Sequence, residues 1–355
     1  MYIYVLIASF IFWGGFSKYS KQVYKTGLFM LFVLTAFRNT DLGGSDTYIY
    51  QQFFEMVPKL DGVIGFQAYG FSVGYTVLNS LVKQFTDEYV VFQMVYAAVS
   101  LFLLNKVIRK MEFGERENCI FLFSYFCFHF IWNNWIIYRQ NLADLLFWYF
   151  IISLYKTEKK KCRKKFFFIL AAVFVPALFH SSALANVILL PAMLFIGKWK
   201  DEKKQLWIPG VSIGIYVLGN PLYQLLIDIM AAYVNPSYAN YGATESNFIN
   251  YILRLFFFTL FAWHYSAEQH PQRKLILDTT LMMVLIGSFN AVATTRMYEY
   301  FAIGLYSCMT FILHYFSEGS RRIAAVIYWG AMLFILCRYV AYFDNGLFMK
   351  YSFFF

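Results

Sequence analysis

The fold class this chain predicts is an all-α polytopic integral membrane protein, and three observations predict it. Its 355 residues are 60% hydrophobic and 22% aromatic with only 14% charged, a balance that no soluble core of this size needs. Apolar runs recur from the first residue to the last with no soluble domain between them, and a bilayer crossing takes about 17 to 25 such residues. The basic residues punctuate those runs on alternate sides, as translocation of Lys and Arg is unfavourable.

Twelve helices follow in order. The first, at 1–17, lacks the basic start and small-residue cleavage site of a secretory signal and is read as permanent. A basic loop at 18–25 turns the chain into helix 26–37, which exits into a long outer segment at about 38–88. Helix 89–105 returns, and a cationic loop at 105–117 precedes helices 118–135 and 139–155. The lysine-rich loop 156–165 leads to helices 166–179 and 182–197, and the basic stretch 198–204 leads to 206–219. A second outer segment spans about 220–250. Helices 251–264, 274–290, 297–315 and 323–342 complete the set, with basic loops at 265–274 and 317–322. The interrupted apolar stretches 69–83 and 221–234 are expected as re-entrant or surface helices on the outer side. The alternate loops together hold 22 of the 30 Lys and Arg residues, which places them in the cytoplasm and both termini outside. The chain reads as one transmembrane domain, 1–355.

Other classes are disfavoured. The net charge of +10 sits in loops between apolar runs, beside anionic lipid, so nucleic acid is not an expected partner. Five cysteines without a CxxC spacing suggest neither a disulfide framework nor a metal site. No repeat relates the two halves, which argues against a transporter of inverted symmetry.

Four outer-side segments carry chemistry. FRNTDLGGSDTYIY at 37–50 joins Arg38, Asp41, Asp46 and Tyr50 around two glycines. There Arg38 can bind phosphate and Asp46 can accept a hydroxyl proton, although an ion pair between the two in an ordinary turn is the simpler reading. In WIIYRQNLAD at 135–144, Arg139 and Gln140 stand at the amino end of an inbound helix. Unsatisfied N–H groups and the helix dipole attract anions there, although an arginine snorkelling to lipid fits equally well. FHSSA at 179–183 breaks two short helices: His180 can act as a base, and Ser181 or Ser182 can cap the inbound helix. TTRMYEY at 294–300 places Arg296 and Tyr300 at another such amino end, with Glu299 able to pair with Arg296. Arg254, just inside its helix, is expected to face the same cavity, and Tyr238 and Tyr241 can stack on sugar rings beside Asn240 and Glu245. Several arginines of this kind suit a multiply charged anion such as a pyrophosphate.

These segments, FRNTDLGGSDTYIYQQF, YRQNLA, FHSSAL and RMYEYF, resemble in order and topology the EpsG family of bacterial exopolysaccharide and capsule polymerases, related to the Wzy-type O-antigen polymerases. The resemblance covers most of the chain. It implies a plasma-membrane enzyme with a large-cavity fold akin to the GT-C glycosyltransferases, joining oligosaccharide repeat units carried on undecaprenyl pyrophosphate at the outer leaflet. Its partners would be that lipid-linked glycan and membrane lipid, with a chain-length regulator and a flippase in the same system. In this reading Asp46 and His180 are candidate bases, Glu245 a weaker one, and Arg38, Arg139 and Arg296 stabilise the leaving pyrophosphate without a metal or other cofactor. Direct displacement then inverts the sugar carbon. The alternatives are a flippase or exporter of lipid-linked oligosaccharide, a glycan ligase or O-acyltransferase, and a scaffold.

Overall fold

The computed structural model describes residues 1–40, 44–66, 70–158, 160–233, 239, 248–264, 271–289 and 296–353. Helix makes up 83% of it. Among the described residues there is no strand, only an isolated antiparallel bridge between Arg38 and Phe353, so the all-α expectation holds. In chain order the helices are α1 (Tyr2–Gly14), α2 (Ser20–Ala36), α3 (Ser45–Met56), α4 (Val73–Lys83), α5 (Tyr89–Lys110), α6 (Glu115–Tyr125), α7 (Tyr138–Lys156), α8 (Cys162–Ala177) and α9 (Asn186–Ile196). They continue as α10 (Asp201–Gly214), α11 (Asn220–Tyr233), α12 (Phe248–His264), α13 (Arg273–Ile286), α14 (Ala302–Phe311) and α15 (Glu318–Tyr342). Each of the twelve segments expected to cross the membrane is helical. By length and composition, three helices among the described residues can cross a bilayer: α5, the continuous run Asp201–Tyr233, and α15.

Two assignments change. The outer segment 38–88 contains two helices, α3 and α4, where the sequence pattern gave one interrupted stretch. The stretch 221–234, expected as a separate surface element, instead continues α10 as a single helical run of 33 residues. Pro209 and Pro221 obscure that continuity in the sequence, because an internal proline usually breaks a helix. A π-helical stretch, Ile215–Gly219, joins the two halves. There the Asn220 side-chain amide donates to the Tyr216 carbonyl at 2.8 Å, satisfying an acceptor beside Pro221.

The chain divides into two compact units. Unit 1 comprises Met1–Tyr149, Phe174–Ser181 and Thr310–Phe355, and unit 2 comprises Phe150–Val173 and Ser182–Met309. In unit 1, α2 packs along α5, while α1 lies against α2, α6 and α15. An aromatic cluster of Tyr50, Phe53, Phe54, Tyr75, Phe92, Tyr96 and Tyr138 fills the space where α3, α4, α5 and α7 meet. Lipid tails are as apolar as leucine, so such contacts hold the helices through close packing rather than expulsion of water.

In unit 2, α13 is buried along nearly its whole length and packs against α9, α10 and α12. Its Asp278 is tied to Lys204 by an ion pair of 2.8 Å in which each side chain is 1% exposed. The Tyr155 hydroxyl donates to the other Asp278 oxygen at 2.8 Å, and Lys204 also donates to the Gly197 carbonyl at 3.2 Å. Lys204 counts among the loop cations in the sequence pattern, but the structure buries it in the first turn of α10. A charge so buried is stable only with such partners.

Candidate functional site

The junction between α6 and α7 organises the unit 1 residues. Beyond Tyr125 the helix continues through two π-helical stretches, Phe126–Phe130 and Trp132–Ile136, and the chain turns at Ile137 before α7 begins. Wide turns of this kind are frequent at functional sites. Around them lies a buried polar network. The Asn134 amide donates to the Tyr125 hydroxyl at 3.0 Å, and Ser100 donates to the Asn134 carbonyl oxygen at 3.2 Å. The Asn141 amide donates to Asn134 at 3.1 Å and to the Tyr96 hydroxyl at 2.8 Å. Unpaired, these groups would be costly in an apolar interior, so the network fixes the direction in which the first turn of α7 faces. Sequence reasoning missed it, and the only signal was the asparagine density at 133, 134 and 141.

Arg38 is 1% exposed. Its Nη2 donates to Thr47 Oγ1 at 3.0 Å, to the Trp135 carbonyl at 3.3 Å and to the Tyr138 hydroxyl at 3.3 Å, and its guanidinium lies 5.1 Å from the Trp135 ring centre. Thr47 in turn donates to the Trp135 carbonyl at 3.0 Å. Expected as a phosphate ligand, Arg38 instead fastens the end of α2 and the start of α3 to the α6–α7 junction. Asp46, next to Thr47 in the first turn of α3, is half-buried at that junction. Tyr50, expected to meet substrate, is 2% exposed and stacks on Tyr138 at 4.8 Å and 15°. Tyr138 stacks on Tyr96 at 4.1 Å and 7°. Gln140 is buried as well, its amide donating to Asp144 Oδ1 at 2.7 Å.

Arg139 differs from these. It is half-buried at the amino end of α7, with its guanidinium 3.9 Å from the Phe71 ring centre. Its Nε is buried with no hydrogen-bond partner among the described residues. Three residues beyond Phe71, the Gly74 amide donates to the Leu178 carbonyl at 2.6 Å in the turn that leads to half-buried His180. Arg139 and the His180 turn are therefore anchored to one segment, Phe71–Gly74. The approach needs glycine, since a Cβ at Gly74 would meet the Leu178 carbonyl oxygen at 2.7 Å. Gly74→Ala should accordingly displace the His180 turn. We expect at least about a tenfold loss of product on a polymer gel, with the protein still present by immunoblot.

In unit 2 the residues gather around α12, α13 and the start of α14. Arg254 is buried, donates to the Gly287 carbonyl at 2.9 Å and lies 4.6 Å from the Tyr298 ring centre. A Cβ at Gly287 would lie 2.8 Å from that guanidinium, so only glycine leaves room. Arg296 is half-buried, and buried Glu299 lies within electrostatic reach of both Arg254 and Arg296. The Tyr300 and Ser182 hydroxyls share a hydrogen bond of 2.9 Å. That contact corrects the expected capping role of Ser182: α9 starts at Asn186, with Ala185 at its N-cap and no side-chain cap. Asp41, Tyr238, Tyr241, Asn240 and Glu245 lie outside the described residues. Among the described residues no group of His, Cys, Asp and Glu has a metal-binding arrangement.

No curated protein and no solved structure matches the chain. The family model described as "EpsG family" matches residues 21–353, a span that contains all four outer-side segments. The protein is a membrane-embedded member of the EpsG family.

Proposed function

We propose that this protein is a glycosyltransferase of the polysaccharide-polymerase type that lengthens undecaprenyl-pyrophosphate-linked oligosaccharide at the outer face of the bacterial plasma membrane. Membership of the EpsG family supports the polymerase class. The observation that carries the reading to particular residues is the half-exposed Arg139, with an unpaired buried Nε, anchored to the same four-residue segment as the His180 turn. It supports a cation for a phosphate group and a base supplied from one neighbourhood of unit 1.

The donor is the growing glycan on its pyrophosphate carrier, and the acceptor is a terminal sugar hydroxyl of a new lipid-linked unit. The acceptor oxygen attacks the anomeric carbon, the bond from that carbon to the pyrophosphate oxygen breaks, and the hydroxyl proton passes to His180 or Asp46. Pyrophosphate departs unprotonated, so its negative charge is met by Arg139. Arg254 and Arg296 of unit 2 are assigned to phosphate recognition by their chemistry, with Tyr300 beside them in the sequence. Arg38, Tyr50 and Gln140 act by positioning the α7 start. Displacement in one step inverts the anomeric centre. The outward placement of both termini belongs to the same proposal.

The test incubates the purified chain in vesicles with a synthetic lipid-linked repeat unit and resolves the products by size. A ladder of lengthened lipid-linked glycans is expected. Unchanged cargo, or cargo moved across the bilayer at its original size, would overturn the enzyme reading in favour of an exporter.

A further inference from the structure

A groove of about 680 Å3 in unit 1 is lined by Met1, Phe334, Cys337, Arg338, Ala341 and Tyr342. It belongs to neither group of residues described above. Its main wall is the last two turns of α15, a helix long and apolar enough to cross a membrane. The exposed ridge of that helix runs through Ile323, Ile327, Phe334, Arg338 and Tyr342. Arg338 is thus a charge on a face that otherwise suits hydrocarbon, and among the described residues it has no ion pair and no hydrogen bond. The opposite wall is fixed, because the Met1 backbone nitrogen donates to the Met349 carbonyl at 2.6 Å.

A lone arginine on a lipid-facing helix needs an anion, and one near a helix end reaches it at headgroup depth. The groove lining supplies one guanidinium and no carboxylate, so it matches a single phosphodiester and offers nothing to an ammonium headgroup. A diphosphate would call for several cations. We propose that this groove is a binding site for an anionic glycerophospholipid, its phosphodiester paired with Arg338 and an acyl chain lying along Phe334, Ala341 and Tyr342.

The test strips the purified full chain of lipid in detergent and titrates it with dioleoylphosphatidylglycerol or dioleoylphosphatidylcholine, counting bound lipid by native mass spectrometry. Phosphatidylglycerol is expected to bind about fivefold more tightly, the scale of one basic residue near anionic lipid. Arg338→Gln should abolish that preference, and Arg338→Lys should keep most of it. Ala341→Trp, which fills the groove and keeps the charge, should weaken binding of both lipids. Arg338 is exposed, so the Gln variant should keep the wild-type melting temperature. Equal binding of the two lipids by the wild type, an undiminished preference in Arg338→Gln, or unchanged binding in Ala341→Trp would overturn the proposal.

Discussion

Arg139→Lys is expected to cut polymer formation roughly 100-fold while protein level in the membrane stays normal, the scale on which one transition-state donor contributes. The Arg139 guanidinium lies flat enough to sit 3.9 Å from the Phe71 ring centre, and its Nε is a buried donor still without a partner. Lysine keeps the charge but loses both the planar fork and Nε, so it cannot stack on Phe71 and present two parallel donors at once. Arg139 is only half-buried, so the fold should tolerate the exchange. Polymer gels and immunoblots of the same membranes separate the two effects. Polymer of wild-type length and amount would remove Arg139 from the mechanism.

The second large effect concerns stability. Asp278→Ala leaves Lys204 charged, 1% exposed and without its carboxylate, and removing one partner of a buried pair typically costs about 3–5 kcal/mol. The Tyr155 hydroxyl loses its acceptor in the same step. A steep fall in melting temperature and in steady-state protein level is expected. The double replacement Lys204→Met with Asp278→Leu should recover most of it, because a well-packed apolar pair needs no counter-charge. A single variant that melts with the wild type would mean that water reaches the pair and that the salt bridge does not hold the start of α10 to α13.

Much of this architecture was legible in the chain. Apolar period and basic punctuation located all twelve main helices, since both follow from local composition. Arg139 was legible for a similar reason: its place at the amino end of an inbound helix follows from where the apolar run starts. Arg38 was not. An arginine in a loop with two glycines suits a ligand, and its burial depends on the Trp135 carbonyl 97 residues away, a contact no local pattern encodes. Tyr50 was misplaced likewise, because stacking on Tyr138 is a tertiary fact. The α10–α11 run was hidden by prolines that a π-helical stretch accommodates, and α4 was blurred by the polar Asn79 and Ser80, both buried. The Asn79 amide donates to the Tyr75 carbonyl within its own helix, and Ser80 donates to the Pro58 carbonyl.

The two wide stretches between Phe126 and Ile136 have one more consequence. A π turn holds a surplus residue within an otherwise regular helix. Deleting any one residue there would let the backbone relax into ordinary winding, but everything downstream would swing by about 100°. Arg139 would then leave Phe71 for a different azimuth, even with every side chain at the site intact. This stretch should therefore tolerate exchanges of side chain far better than any change in its length.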